Sequence, residues 1–272
     1  MTKKLPIAIV IPHASSEVPP EIQGRIALSE AQIFNEADAF TDSIYDYREQ
    51  VLHWLSFPYA RALIDVNRSL DNWDNREGDG IVKRKSSYGD TVYLEGQEPD
   101  AALEQQLIEK YWQDWHNQLA AISADKEVKL VLDCHSMAAI GPSAYDDPLN
   151  IRPRVSASNM GDKDGDPREG DFITASPSLT KELGAQLGSV LEDIPALGPV
   201  AENFLVNSPF RGGWNIRMHG GKQQTWIMIE LSRGLYIKGE QHGSTPVVAP
   251  DKDRISLLRE RIWKAIEDTV TN

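Results

Sequence analysis

Apolar positions along this chain fall into short bursts separated by polar stretches, and the bursts have two spacings. Leu5–Ile11 (LPIAIVI), Ala62–Val66 (ALIDV), Val128–Leu132 (VKLVL) and Thr225–Leu231 (TWIMIEL) are compact and rich in β-branched residues, a pattern that predicts buried strands. Asp100 to Ser123 instead repeats its apolar residues every three or four positions (Leu103, Leu107, Tyr111, Trp115, Leu119, Ile122), as do Leu179–Leu191 and Arg254–Val270, and these predict amphipathic helices. Ser29 with Gln32 three residues later predicts a capping box and a further helix, expected to carry Asp38 and Asp42. Ala201–Val206 reads as a short strand or extended segment, Pro209–Gly213 as a turn, and the polar stretch Asp71–Gly80 as a loop. Gly141–Asp171, rich in Gly, Pro, Asp and Asn, is too long for a passive connection and is expected to be a functional loop lying over the active site. No internal repeat and no linker-like shift in composition interrupts the chain, so one domain spanning 1–272 is expected. Strands alternating with helices imply an α/β fold whose mainly parallel or mixed sheet is covered on both faces. Ligands bind such sheets beyond the carboxyl ends of the strands.

Composition narrows the partners. With 28 Lys and Arg against 41 Asp and Glu, the net charge of −13 repels nucleic acid and anionic membrane surfaces. A small anionic substrate then needs a locally positive pocket made by a few placed arginines. No apolar run reaches the roughly 18 residues of a membrane span, and no signal-peptide stretch precedes Leu5, so a cytoplasmic protein is expected. The single cysteine leaves no internal disulfide and agrees with a reducing compartment. Nothing here speaks to oligomeric state.

Four candidate groups sit at or near the ends of predicted strands: His13, Asn67–Arg68, His135 and Glu230. Each has a structural explanation when taken singly, such as a capping imidazole or a surface ion pair. Together they converge on the edge where an α/β sheet gathers its ligands. Glu230 stands out, because a carboxylate inside Trp226–Leu231 costs several kcal/mol to bury without a partner. Partial burial also shifts such a group toward the neutral pKa that suits a general base, the alternative being a buried pair with an arginine such as Arg233. His13 and His135 are the metal candidates, since imidazole suits zinc and a catalytic site takes three protein ligands. The third ligand is expected to be a carboxylate, Asp42 first and Asp38 second, the two sharing one helix face at a spacing of four.

Other features carry less. Cys134 neighbours His135 on a strand, where adjacent side chains diverge, so it reads as a small buried hydrophobe, whereas Asp133 shares the histidine's face and is placed to orient an imidazole. Asp162, Asp164 and Asp166 begin like a calcium loop, but the twelfth position is Ile173 where a bidentate Glu is required.

Taken in order, Ile11-Pro12-His13-Ala14-Ser15, Asp38 to Asp42 with Ile44-Tyr45, Asp65-Val66-Asn67-Arg68, Asp133-Cys134-His135-Ser136, Asn207 to Gly213, and Ile229-Glu230-Leu231 with Arg233-Gly234-Leu235-Tyr236 resemble the N-formylglutamate amidohydrolase family. The resemblance implies kinship with zinc carboxypeptidases and aspartoacylases. It also implies a phosphorylase/hydrolase-like three-layer α/β/α fold with a mixed central sheet, one Zn2+, and hydrolysis of the N-acyl amide of a small acidic amino acid, N-formyl-L-glutamate foremost. Carried over by position, it makes His13, Asp42 and His135 the metal ligands and Glu230 the general base and acid. Asn67 and Arg68 would grip the substrate's carboxylate, Arg211 would take its second carboxylate, and Gly212 and Gly213 would let the backbone approach the ligand. Deacylation of another N-acyl amino acid, carboxypeptidase action, or a metal-containing binding protein without turnover are the competing readings, and other divalent metals suit the same ligands.

Overall fold

The strand-like bursts assemble into one sheet, and the helical periodicities cover it. The computed structural model describes residues 4–71, 78–142, 145–239 and 243–271, so the start of the N-terminus, residues 72–77 of the expected polar loop and residues 143–144 of the long segment lie outside the described residues. Along the chain run β1 (Leu5–Ile11), α1 (Glu30–Glu36), α2 (Thr41–Ile44), β2 (Val51–Ser56), α3 (Ala101–Leu107), α4 (Asp114–Ala124), β3 (Leu130–Met137), β4 (Val155–Ser158), α5 (Pro177–Leu191), β5 (Phe204–Val206), α6 (Trp214–His219), β6 (Thr225–Ser232) and α7 (Lys252–Thr271). The six strands order as β2-β1-β3-β6-β4-β5, with β4 antiparallel to β6 and every other neighbouring pair parallel, which makes the sheet mixed.

Side chains alternate across this sheet, and each face meets its own helices. Ile7, Ile9 and Ile11 of β1, Leu130 and Leu132 of β3, and Ile227 and Ile229 of β6 pack with Leu183 and Leu187 of α5 and Leu258 and Ile262 of α7. Ala8, Val10, Val131, Trp226 and Met228 face the other way, against Trp115 and Leu119 of α4 and Ile216 of α6. The result is the expected α/β/α layering, and burial on both faces explains why the central strands read as nearly continuous apolar runs. By the same alternation Cys134 packs with the α5 and α7 layer, while Asp133, His135 and Glu230 fall on the opposite face.

Several elements differ from expectation. Ala62–Val66 is fully buried but is a turn, held by Asp65 N donating to Ile81 O (2.7 Å) and Lys83 N to Leu63 O (3.1 Å). An apolar run shows burial and leaves the backbone conformation open. The strand beside β1 is instead β2, whose partly exposed side chains along an outer edge blur the alternation that marks a strand. Within the long segment expected as loop, Val155–Ser158 forms β4, all four residues buried, with small polar side chains hiding the pattern.

The helix expected over 100–123 spans α3 and α4, joined by a π turn at Ile108–Gln113. It braces the turn after Val66: Trp112 Nε1 donates to Arg68 O (2.8 Å), and His116 Nε2 donates to Val66 O (2.9 Å). His116 Nδ1 then accepts from His219 Nε2 at 2.9 Å, and the two imidazoles stack. Burial, together with the neighbouring imidazole, pushes His116 down to about 3. Burial with nearby Lys222 pushes His219 down to about 4. In the unfolded chain both take a proton near pH 6.5, so the unfolded state binds more protons below that pH and the folded state loses stability as pH falls toward 4. Denaturant unfolding at pH 7 and at pH 4.5 is expected to show this loss, and His116→Gln, which keeps two hydrogen-bonding ends but cannot charge, is expected to show a shallower one. Equal slopes would remove the pair as a cause.

Candidate active site

Beyond the carboxyl ends of the parallel strands lies a cavity of about 250 Å³, lined among others by His13, Asp38, Asn67, His135 and Glu230. His13 follows β1 by two residues and His135 lies on β3, which brings their ring centroids to 4.9 Å despite 122 residues of separation in the chain. Asp38 closes the triangle. Its Oδ2 lies 3.0 Å from His135 Nδ1 and 3.6 Å from His13 Nδ1, and one donor atom from each of the three residues lies within 4.8 Å of the others.

Each imidazole has its outer nitrogen turned to a buried carboxylate, His13 Nε2 to Asp65 Oδ1 (2.8 Å) and His135 Nε2 to Asp133 Oδ2 (3.3 Å). This arrangement fixes the ring and leaves Nδ1 of both histidines facing the shared space. His13 Nδ1 is buried there without a hydrogen-bond partner. Two imidazole nitrogens and a carboxylate oxygen, converging with one nitrogen unsatisfied, fit a divalent cation of the zinc class.

The expected ligand Asp42 is corrected to Asp38 in this geometry. The capping box at Ser29 does open α1, but that helix ends at Glu36, and Phe40 adopts a left-handed backbone (φ 66°) before α2 begins. Asp38 and Asp42 therefore share no helix face. Asp42 is partly exposed, bonded by the Ser43 hydroxyl at 3.4 Å, and does not line the cavity. Asp38 is held by its backbone N donating to His13 O (2.9 Å).

Electrostatics separates the carboxylates by their partners. Burial would raise Asp38, but the adjacent imidazoles of His13 and His135, the latter hydrogen-bonded to it, outweigh burial and hold its carboxyl far below the usual range. Burial acts likewise on Asp65, countered by Arg61, His13 and Arg68. Glu230 lacks such compensation. It is the in-register neighbour of His135 on the adjacent parallel strand, and its Oε2 has no hydrogen-bond partner. Burial dominates and raises its carboxyl to about 7, with His135 and Arg152 pulling down and Asp38 pushing up. The anticipated pairing with Arg233 is absent, because that guanidinium donates to Asn35 O (2.9 Å) and Ala37 O (3.1 Å).

Asn67 and Arg68 line the cavity as expected. Asn67 Oδ1 accepts from Asn215 N (2.7 Å), and Arg68 Nη2 donates to Asp79 (2.8 Å). Arg211 does not line it. Its guanidinium turns away to the carbonyls of Met160 and Gly161 and to Asp171 (3.2 Å), so its expected role on a second carboxylate is corrected. Gly212 and Gly213 border the cavity, but what approaches them closely is protein: a Cβ at 213 would collide with the Asn67 side chain, and one at 212 with Ile216. Sequence reasoning overlooked Arg61, Asp65, Lys83 and Arg152. Asp65 had a signal, an acid in an apolar run, which is the same argument that singled out Glu230. Arg152 had none in its polar surroundings.

A model of the N-formylglutamate amidohydrolase family matches residues 5–237. Among solved structures, an N-formylglutamate amidohydrolase from Ralstonia eutropha JMP134 superposes with a TM-score of 0.71 at 18% identity, over 98% of this chain and 93% of that one. A gene product from Agrobacterium tumefaciens superposes with a TM-score of 0.55 at 16% identity, over 97% and 90% of the two chains. These likenesses show a common fold. No curated protein matches by sequence.

The Asp38 geometry makes a direct prediction. Asp38→Ala is expected to weaken zinc retention by more than the roughly 10 to 100-fold typical of altering a group behind a ligand, whereas Asp42→Ala retains the wild-type metal content after dialysis. Metal analysis of the two purified variants decides it, and the reverse pattern restores Asp42.

Proposed function

This chain belongs to the N-formylglutamate amidohydrolase family, and from that premise we propose that it is a zinc-dependent deformylase converting N-formyl-L-glutamate and water to glutamate and formate. The observation that carries the reading is the unpartnered buried carboxylate of Glu230 beside the His13, Asp38 and His135 cluster in one cavity.

His13, Asp38 and His135 would hold the ion, with Asp65 and Asp133 keeping the two rings in place. Zinc bound there supplies Lewis acidity, polarising a carbonyl and making water more acidic. Glu230, with a pKa near neutrality, is suited to take a proton from water as its oxygen attacks the formyl carbon, and to return that proton to nitrogen as the C–N bond breaks. The same carboxyl then serves both half-steps and ends as it began. Negative charge that develops on the formyl oxygen needs a cation within the cavity. Arg61, whose Nη1 lies 3.9 Å from Asp38 and whose Nε lacks a partner, would supply it. Asn67 and Arg68 are disposed to receive the substrate's α-carboxylate beside it.

Formate release from N-formyl-L-glutamate by the zinc-loaded protein is the expected result, lost on chelation and restored by zinc. Glu230→Gln is expected to lower kcat by roughly 10² to 10⁴-fold while metal analysis still finds one zinc per chain. Persistent turnover in that variant would falsify the role of Glu230.

A further inference from the structure

With Arg211 turned away, the cavity still contains a built position for a second negative group. We propose that Arg152 binds the side-chain carboxylate of the substrate and sets the preference for a dicarboxylic amino acid. This rests on the reading of the site as one for an N-acyl amino acid.

Arg152 lies just ahead of β4, lines the cavity, and is only 3% exposed. Its backbone is pinned on both sides, the amide donating to Ala139 O (2.9 Å) and the carbonyl accepting from Ala201 N (2.9 Å). Asp147 grips one edge of the guanidinium, accepting from Nε at 2.6 Å and from Nη2 at 2.8 Å. The Phe210 ring lies 4.8 Å from the guanidinium carbon and the Tyr145 ring 5.6 Å from it. The side chain is thus fixed before any ligand arrives, which removes most of the ordering cost of binding.

Counting donors shows what remains. A guanidinium has five N–H groups in a rigid fork. Two go to Asp147, and a third goes weakly from Nη1 to Ala138 O at 3.4 Å. Two N–H groups therefore remain, one on Nη1 and one on Nη2, enough to meet both oxygens of a carboxylate. The other arginines of the cavity are occupied differently. Arg61 is tied to Asp65 (2.9 Å), Arg68 to Asp79 (2.8 Å), and Arg233 to two backbone carbonyls.

Position supports the same assignment. The sheet order β1-β3-β6-β4 puts His13, His135, Glu230 and Arg152 on successive strands or their flanks, with Arg152 held against the chain leaving β3 by the carbonyls of Ala138 and Ala139. Arg61 and Arg68 stand on the His13 side, where both approach Asp65. A ligand with carboxylates at both ends of a short chain would be held across the reacting centre.

The test compares L-glutamate with its neutral isostere L-glutamine, by calorimetry on the zinc-loaded protein, alongside formate release from the two N-formyl derivatives. Wild type is expected to bind glutamate about 30-fold or more tighter than glutamine, as suits a charge-assisted two-donor contact. Arg152→Met should bring the ratio within about 3-fold by weakening glutamate alone, with the loss in turnover falling on KM. Arg211→Met should keep the wild-type ratio. If Arg152→Met does not fold, Arg152→Lys, which keeps the charge and lacks the fork, is expected to lose about 10-fold in the ratio. A wild-type protein without a glutamate preference, or an Arg152 variant that retains it, overturns the assignment. Glutamate preference that depends on Arg152 without any formate release upholds it and sinks the proposed activity instead.

Discussion

A buried carboxylate at the floor of the site sets the terms for everything around it. Asp65 has no solvent exposure, and an ionised carboxylate in that position is tolerable only if cations and donors surround it. Arg61 at 2.9 Å, Arg68 at 3.7 Å and Lys83 at 3.8 Å supply the charge, and His13 Nε2 at 2.8 Å and the Asn67 amide at 3.0 Å supply further bonds. One requirement therefore fixes the ring of His13 and the course of the chain into Asn67–Arg68 together. Asp79 and Glu36 extend the network through Lys83, itself wholly buried. Removing any member would leave an opposite charge stranded, which costs more than the pair gains by forming.

The sheet supplies the second constraint. Parallel strands put their carboxyl ends on one rim, and the two-residue alternation sends Asp133, His135 and Glu230 to the same face there. Apolar neighbours on the other face, Cys134 among them, anchor the strands against α5 and α7. Glu230 keeps an unusual proton affinity because that placement denies it the cation that Asp65 enjoys.

Much of this was legible in the residues, for identifiable reasons. Three of the four predicted strands are strands, since β-branched runs buried on both sides admit few other readings, and the α/β/α layering follows from their alternation with helical periods. The two histidines and Glu230 were legible because polar side chains closing apolar runs are costly and call for a purpose. What escaped depended on backbone detail. Asp38 and Asp42 read as alternatives on one helix face because a periodicity of four runs past Glu36, where the helix in fact stops and Phe40 takes a left-handed turn, and it is the family resemblance that puts Asp42 first. Arg211 turns out of the cavity for a related reason: a side chain's direction in a turn is set by which carbonyls it finds, and sequence spacing does not contain that. β4 was hidden because Val155, Ser156, Ala157 and Ser158 are too small and too polar to announce a strand.

The reversal of β4 brings an incoming connection to a rim otherwise made of strand ends and outgoing ones. Because it runs opposite to β6, its leading end lies at the rim where its neighbours finish, so the chain entering β4 borders the same hollow as the chain leaving β1 and β3. His13 thus belongs to an outgoing connection, His135 to the last residues of its own strand, and Arg152 to an incoming connection. Retailoring the incoming stretch to accept other ligands would also be felt in the reactive apparatus, because Arg152 bonds Ala138 O and Ala139 O just past His135 and pulls down the proton affinity of Glu230.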